Sequence, residues 1–405
     1  MIAGRVTRMR PVLALESPQK LRATLGRLDA WLRACDFAGY DPYDSLNASR
    51  LSAFFRATPR RRQLVVQVGK RSPVNLRPLF GVPPHRDSKA LALVASAYAR
   101  LHQLERDPAR ESLAGSLLSE LEARGTKGRG TIAWGYEFDV QTRWAFYPSG
   151  TPNIIVTTFV AHAFLDWFEL TGDPPLLATA AAAVRYLDDE LLHATDGSYY
   201  SYVPESRVLI HNANVLGCAL TSRVARLTGD CGLQATARRA AEVSLQAQQR
   251  DGLWPYGRGP GLQWVDGFHT AYVLDGLCEL AAAGPDEAIR DALRAGFAAY
   301  FSMLFGPQGE PRYTPGSLYP LDIHSASTAI DVLSRRAEAG ARRLPLARQV
   351  CAWTMANMWD QRGFFHFQRN RLYANRVPYV RWSQAHMLRA LSSLLGAMEA
   401  GPAQG

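Results

Sequence analysis

Lysine is almost missing from this chain of 405 residues: Lys20, Lys70, Lys89 and Lys127 are the only four among 46 basic side chains, and the rest are arginine. Such a bias reflects a GC-rich genome, so the formal net charge of +10 is weak support for a nucleic-acid partner. No aromatic-interleaved basic motif, zinc-finger spacing or recognition-helix pattern accompanies it, and nucleic-acid binding is set aside. Cysteine is scarce as well. Cys35, Cys218, Cys231, Cys278 and Cys351 are odd in number and contain no C-x-x-C pair. Neither a disulfide framework nor a cysteine zinc site is expected. No apolar run approaches the roughly 18 residues that a membrane span needs, and Met1 to Arg22 has no apolar stretch after its arginines. The expectation is a soluble, cytoplasmic chain. Charged residues make up only 20% against 47% hydrophobic, which excludes disorder, coiled coil and collagen and leaves a sizeable core to bury.

What the chain does have is internal repetition. An amphipathic helix rich in Ala, Leu and Arg runs into a glycine turn with aromatics, then a polar segment with His, Asn or Asp, then a more apolar helix. Taking Asn153, Asn212, His269, His324 and Ser383 as register marks, the steps are 59, 57, 55 and 59 residues. With a degenerate first copy, Gln63 to Val68 before a Pro-rich turn and Leu91 to Leu101 after it, this predicts six helical hairpins packed side by side and closed into a ring. The fold class is therefore all-α, an (α/α)6 toroid over residues 47–400, with residues 1–46 as an N-terminal extension packed on it. The helix after Asn153 is apolar nearly all round and reads as an inner helix, whereas Leu176 to Leu192 carries a charged face and reads as an outer one. All inner helices then begin at the same end. The polar segments before them converge on one mouth, where helix N-termini supply free N–H groups and partial positive charge.

At these residues the chain resembles the six-hairpin toroid families. Gln249, Asp251, Gly252 and Trp254, with Asp266, His269 and Tyr272 beyond, are similar to the Gln-Asp-Gly-Trp repeat of terpenoid cyclases and protein prenyltransferases. The two Leu-Thr-Gly-Asp segments, ending at Asp173 and Asp230, resemble carbohydrate-active toroids, including the helical domain of glucuronyl C5-epimerases. Tyr40 to Leu46 together with Trp134 to Asp139 resembles toroid proteins of bacterial exopolysaccharide and O-antigen gene clusters. The resemblance implies an architecture and a glycan context. The acid motif of squalene-type cyclases and the zinc ligands of prenyltransferases are missing from it.

Candidate chemistry gathers at the expected mouth. Trp134, Tyr136, Glu137, Asp139 and Arg143 mix rings, acids and a guanidinium as sugar sites do, the alternative being a structural loop. Asp266 and His269, at i and i+3, can both face the cavity, although Asp266 is equally an N-cap, and Asp322 with His324 repeats the arrangement. Glycoside hydrolysis would draw two carboxyls from Asp139, Glu137, Asp266 and Asp322, with Asp139 and Asp266 the favoured acid/base pair. Lyase or epimerase chemistry would instead use His211 or Tyr136 as base, with Arg143 or Asn212 holding a uronate carboxylate; His269 stays among the candidate catalytic residues and Arg381 among the candidate binding ones. Asn153, Trp254 and Trp382 complete the candidate binding residues. No cofactor is expected, and no metal, because His211, His269 and His324 lie on three different hairpins. The expected activity is that of an enzyme acting on a glycan or lipid-linked saccharide in surface-polysaccharide assembly; a terpenoid or polyprenyl enzyme and a non-catalytic glycan-binding scaffold remain the alternatives. One further tract stands out. Arg50 to Lys89 holds ten basic residues against the single acid Asp87. It is either a solvated face or a surface that recruits an anion such as the inner leaflet of a membrane.

Overall fold

The structure is a computed structural model that describes residues 9, 17–142, 145–193, 198–335 and 340–400. Within them run fifteen α-helices and only two-residue strands. The helices are α1 (Pro18–Ala34), α2 (Ala53–Arg56), α3 (Pro59–Arg71), α4 (Arg77–Phe80), α5 (Ser88–Glu105), α6 (Pro108–Arg124), α7 (Ile154–Thr171) and α8 (Pro174–Tyr186). They continue with α9 (His211–Thr228), α10 (Cys231–Leu245), α11 (Gly267–Ala281), α12 (Glu287–Met303), α13 (Ile323–Arg335), α14 (Arg343–Met358) and α15 (His386–Glu399). Helices α5, α7, α9, α11, α13 and α15 pack each against the next, and α15 returns to α5, closing an inner ring. Around it α6, α8, α10, α12 and α14 each pack on the inner helix that precedes them in the chain, and α1 packs on α15. This is an (α/α)6 toroid.

Local chemistry explains the short turns. Helices α1 and α6 start on proline behind a capping side chain, Ser17 and Asp107, because proline costs nothing where the helix N–H has no partner. At both Leu-Thr-Gly-Asp segments the glycine ends an inner helix in the left-handed region, Gly172 at φ 70° and Gly229 at φ 76°. Asp230 then caps the next outer helix through Gly232 and Leu233 N–H. The motif is thus a two-residue reversal from inner to outer layer. Likewise Gly252 of the Gln-Asp-Gly-Trp segment sits at φ 90°, and a Cβ there would lie 2.6 Å from the Ala295 carbonyl on α12. Trp254 is buried, and its indole N–H donates to the Ser244 carbonyl at 2.8 Å.

Two expectations are corrected. Gln63 to Val68 lies in α3, which packs on the turn Asp44–Asn47 and the strand Val140–Gln141; α1, from the segment read as an extension, fills the outer layer instead. And one run does reach membrane-spanning length: α7 has 18 residues of sufficient mean hydropathy. It is mostly apolar because it is a ring helix packed against α5, α8 and α9, its few charged side chains, Asp166 and Glu169, pairing with Arg223.

Candidate active site

The N-terminal ends of the inner helices meet loops that carry most of the aromatic chemistry. Asp87 caps α5 through Ala90 N–H at 3.1 Å, Asn153 caps α7 through Val156 N–H at 3.0 Å, and Asp266 caps α11 through His269 N–H at 2.8 Å. The sequence could not separate a capping from a chemical role for Asp266; the structure shows the cap and a second contact. Its other oxygen lies 2.7 Å from His269 Nδ1. Asp266 is fully buried, while the His269 side chain is 20% exposed. Among the described residues Nε2 of His269 has no protein partner, so a buried carboxylate orients a ring whose second nitrogen is free for a ligand.

Rings surround that imidazole. Tyr256, Trp264 and Phe268 lie 4.7, 5.4 and 4.0 Å from it between centroids, and Tyr256 stacks on Trp264 at 4.3 Å. The Trp264 N–H is buried without an acceptor among the described residues. Across the mouth Tyr136 and Tyr202 share a hydrogen bond of 3.1 Å, and Tyr202 stacks on Tyr147. Burial, with neighbouring tyrosines adding to it, pushes the Tyr202 and Tyr256 phenols well up, so both remain protonated donors.

A second layer lies beneath. Asp322 accepts from Trp382 Nε1 at 3.1 Å, from His324 N–H at 2.8 Å and from Gln368. His324 stacks on Trp382 at 4.2 Å, donates from Nδ1–H to the Trp382 carbonyl at 3.0 Å, and meets Tyr272 OH through Nε2 at 2.8 Å. Arg381 is held by Asp41 at 2.7 Å and lies 4.9 Å from the Tyr136 ring, with Asp87 3.9 Å away. Its role is to neutralise two buried carboxylates; Asp41 occupies its fork. Lys89, counted in the basic tract, is buried over the Phe159 ring at 4.0 Å, and desolvation with Arg381 nearby lowers its amine well below the usual range. Asp41 belonged to the Tyr40 to Leu46 segment without a role of its own, and neither Lys89, Tyr202 nor His386, which lies 4.2 Å from His324 between centroids, carried a recognisable motif.

Other candidates make no hydrogen bond or ion pair with the dyad among the described residues. His211 is 2% exposed and its Nδ1 contacts Ser244 Oγ on the outer helix α10 at 3.1 Å, so it faces the outer layer rather than the mouth. Asn212 is buried and its Oδ1 is unpartnered. Trp134 is buried, with Nε1 on the Leu121 carbonyl at 2.6 Å. Asp139 accepts Ser149 N–H at 2.9 Å, and Glu137 accepts from Ser88 at 2.5 Å and pairs with Arg124 at 3.3 Å. Among the described residues no hydrogen bond or ion pair joins Asp139 to Asp266. Arg143 lies outside the described residues. No group of three His, Cys, Asp or Glu side chains that would hold a metal ion occurs among the described residues.

Below the mouth, the inner helices enclose a small cavity of about 50 Å³. Four arginines, Arg100, Arg223, Arg335 and Arg389, face four acids, Asp166, Asp275, Glu279 and Asp331. Arg223 pairs with Asp166 at 2.8 Å, and Arg389 with Asp331 at 3.2 Å. Burial alone would raise the Asp331 carboxyl, but Arg335, Arg389 and Arg100 hold it far below the usual range. His162 is pushed down to about 4 by burial and by Arg223, and His211 to about 4 by burial with Arg258 in range. Both imidazoles are therefore neutral in the folded chain and protonated near pH 6.5 in the unfolded one. Their contribution is complete above pH 6.5 and is lost as pH falls toward 4. Each is expected to remove roughly 2 kcal/mol of stability between pH 7 and pH 5, measured by urea unfolding. His211→Gln is expected to flatten that slope by its share; an unchanged slope would show that the ring titrates normally.

No family model matches the sequence, and no curated protein matches it. Solved structures do match in fold. The chain is similar to a cellobiose 2-epimerase from Bacillus thermoamylovorans, with 10% identity over 93% of this chain and 98% of that one, at a TM-score of 0.64. It is similar to a GH76 α-mannanase from Bacteroides thetaiotaomicron, with 11% identity, coverage of 79% and 89%, and a TM-score of 0.62. A family 88 glycosyl hydrolase from Bacteroides vulgatus matches with 9% identity over 94% and 99%, at a TM-score of 0.60. At such identities the likeness establishes the toroid fold.

Proposed function

We propose that the chain is a carbohydrate-active enzyme that moves a proton on a sugar carbon next to a carbonyl or carboxylate, as an epimerase or lyase does. The observation that carries this is the Asp266–His269 dyad with its free Nε2 set among Tyr256, Trp264 and Phe268. Nε2 would take the proton from carbon while the electron pair moves onto the carbonyl oxygen. Protonated phenols such as Tyr202 and Tyr256 would donate to that oxygen as its charge develops. Returning the proton to the other face gives an epimer; loss of a group from the neighbouring carbon gives an unsaturated product. Two-carboxylate hydrolysis is less well supported, because both oxygens of Asp266 and both of Asp322 are already engaged.

The saccharide class fits the stacked rings and the free Trp264 donor, and the fold's epimerase and hydrolase neighbours agree with it. A hydrocarbon chain is poorly served by a space lined with four arginines and four acids. A place in surface-polysaccharide assembly rests on the resemblance of Tyr40 to Leu46 and Trp134 to Asp139. The test incubates the full chain in D2O with reducing disaccharides and uronate oligosaccharides. Deuterium at carbon, or absorbance from an unsaturated uronate, is expected. New reducing ends without carbon exchange would mean hydrolysis, and no turnover of any saccharide that binds would mean a scaffold.

A further inference from the structure

Of the nine large hydrophobic side chains exposed among the described residues, seven fall between Phe54 and Phe80: Phe54, Phe55, Leu64, Val68, Val74, Leu79 and Phe80. An eighth, Phe146, lies 4.4 Å under the Arg62 guanidinium. This segment is the insertion that replaces a simple turn between α1 and α5. Its longest helix, α3, is patterned inside out. Leu64 and Val68 are 57% and 52% exposed at i and i+4, on the same face as the exposed Arg60 and Arg71, and only Val66 is buried. A water-facing helix keeps its apolar side inward.

The basic residues here are also uncompensated. Arg50 donates to the Leu79 carbonyl, Arg56 to the Ala48 carbonyl, Arg61 to the Phe54 carbonyl, and Arg62 to Gln141. None of these, nor Arg60 or Arg71, is in an ion pair among the described residues. The rest of the tract behaves otherwise: Arg77 is buried on Asp44, Arg86 pairs with Glu120, and Lys89 lies in the core. What remains is a surface of protruding apolar side chains among unpaired guanidinia. The inward side of α3 borders the mouth, since Lys70 donates to Tyr43 OH at 2.7 Å and Tyr43 lies 5.3 Å from Trp382.

We propose that this insertion docks the toroid onto an anionic lipid bilayer, with Phe54, Leu64, Val68 and Leu79 entering the interface and the arginines meeting the headgroups. Apolar insertion and headgroup attraction are the two contributions that interfacial binding requires. A second copy of the chain is the weaker occupant, because a symmetric contact would bring the same unpaired arginines face to face. The proposal stands apart from the reaction at His269, and the assay contains no saccharide.

The test is sedimentation of the full chain with phosphatidylglycerol-containing vesicles and with pure phosphatidylcholine vesicles, at low and high salt. Binding to the anionic vesicles that weakens with salt is expected. Arg60→Ser with Arg71→Ser, chosen because neither side chain has a hydrogen-bond or ion-pair partner among the described residues, is expected to lower that partition by about 30-fold, each charge being worth roughly fivefold. Leu64→Ser with Val68→Ser is expected to lower it by about tenfold with an unchanged melting temperature, since both side chains already face water. Equal sedimentation with both vesicle types, or partition unmoved by either double change, would overturn the proposal. So would a dimer in light scattering that the Leu64 and Val68 changes dissociate while vesicle binding is absent.

Discussion

His269→Gln is expected to lower turnover of the saccharide identified by deuterium exchange by about 10²- to 10⁴-fold, the range that a positioned general base contributes. The side chain is one-fifth exposed and makes one hydrogen bond through its ring, so the melting temperature is expected to stay within a degree or two. The companion change Asp266→Asn separates the two roles of that residue. Asparagine caps a helix as well as aspartate does, so α11 keeps its start. What is lost is the negative charge that holds the ring and, on the proposed route, would stabilise the imidazolium formed as carbon is deprotonated. A fall of about tenfold to a thousandfold in turnover, with unchanged stability, is expected. Asp139→Asn supplies the contrast, because that carboxylate accepts a backbone N–H in its own loop. If Asp139→Asn abolishes turnover and His269→Gln leaves it intact, the carboxylate pair read from the sequence is the right one.

Arg381→Ala is expected to cost about 3–5 kcal/mol of stability, the usual result of removing one side of a buried ion pair. Arg381 is 4% exposed, bonds Asp41 through both Nε at 2.8 Å and Nη2 at 2.7 Å, and stands 3.9 Å from the unpartnered oxygen of Asp87. Burial already pushes the Asp87 carboxyl up, and Arg381 is the strongest influence pulling it down. Without the guanidinium both acids would be buried and uncompensated. The Asp87 carboxyl, already raised by burial, would then rise further, so the deficit is expected to shrink as pH falls from 7 toward 5. Arg381→Lys is expected to recover only part of the loss, since an ammonium cannot reproduce the planar contact with Asp41 and Tyr136. Urea midpoints across that pH range decide it; a loss below about 1 kcal/mol would mean that the two acids find other partners.

Read residue by residue, the sequence determined the ring. Repeats of 55 to 59 residues, an apolar inner helix after Asn153 and Gly-Asp reversals at Gly172 and Gly229 are local signals, set by helix period, capping and left-handed glycine. The Asp266–His269 dyad was legible for the same reason, since i and i+3 lie on one helical turn. Tertiary structure alone decided the rest. Asp41 and Arg381 are 340 residues apart in sequence and in contact in space, and Asp322 reaches Trp382 across 60 residues. The basic tract shows the limit best: its composition is the same for Arg60, which faces water, and for Lys89, which lies in the core. Charge is a property of the residue, whereas burial and pairing are properties of the packed ring, and only closing that ring divides the tract into buried cations and an exposed arginine-and-apolar face.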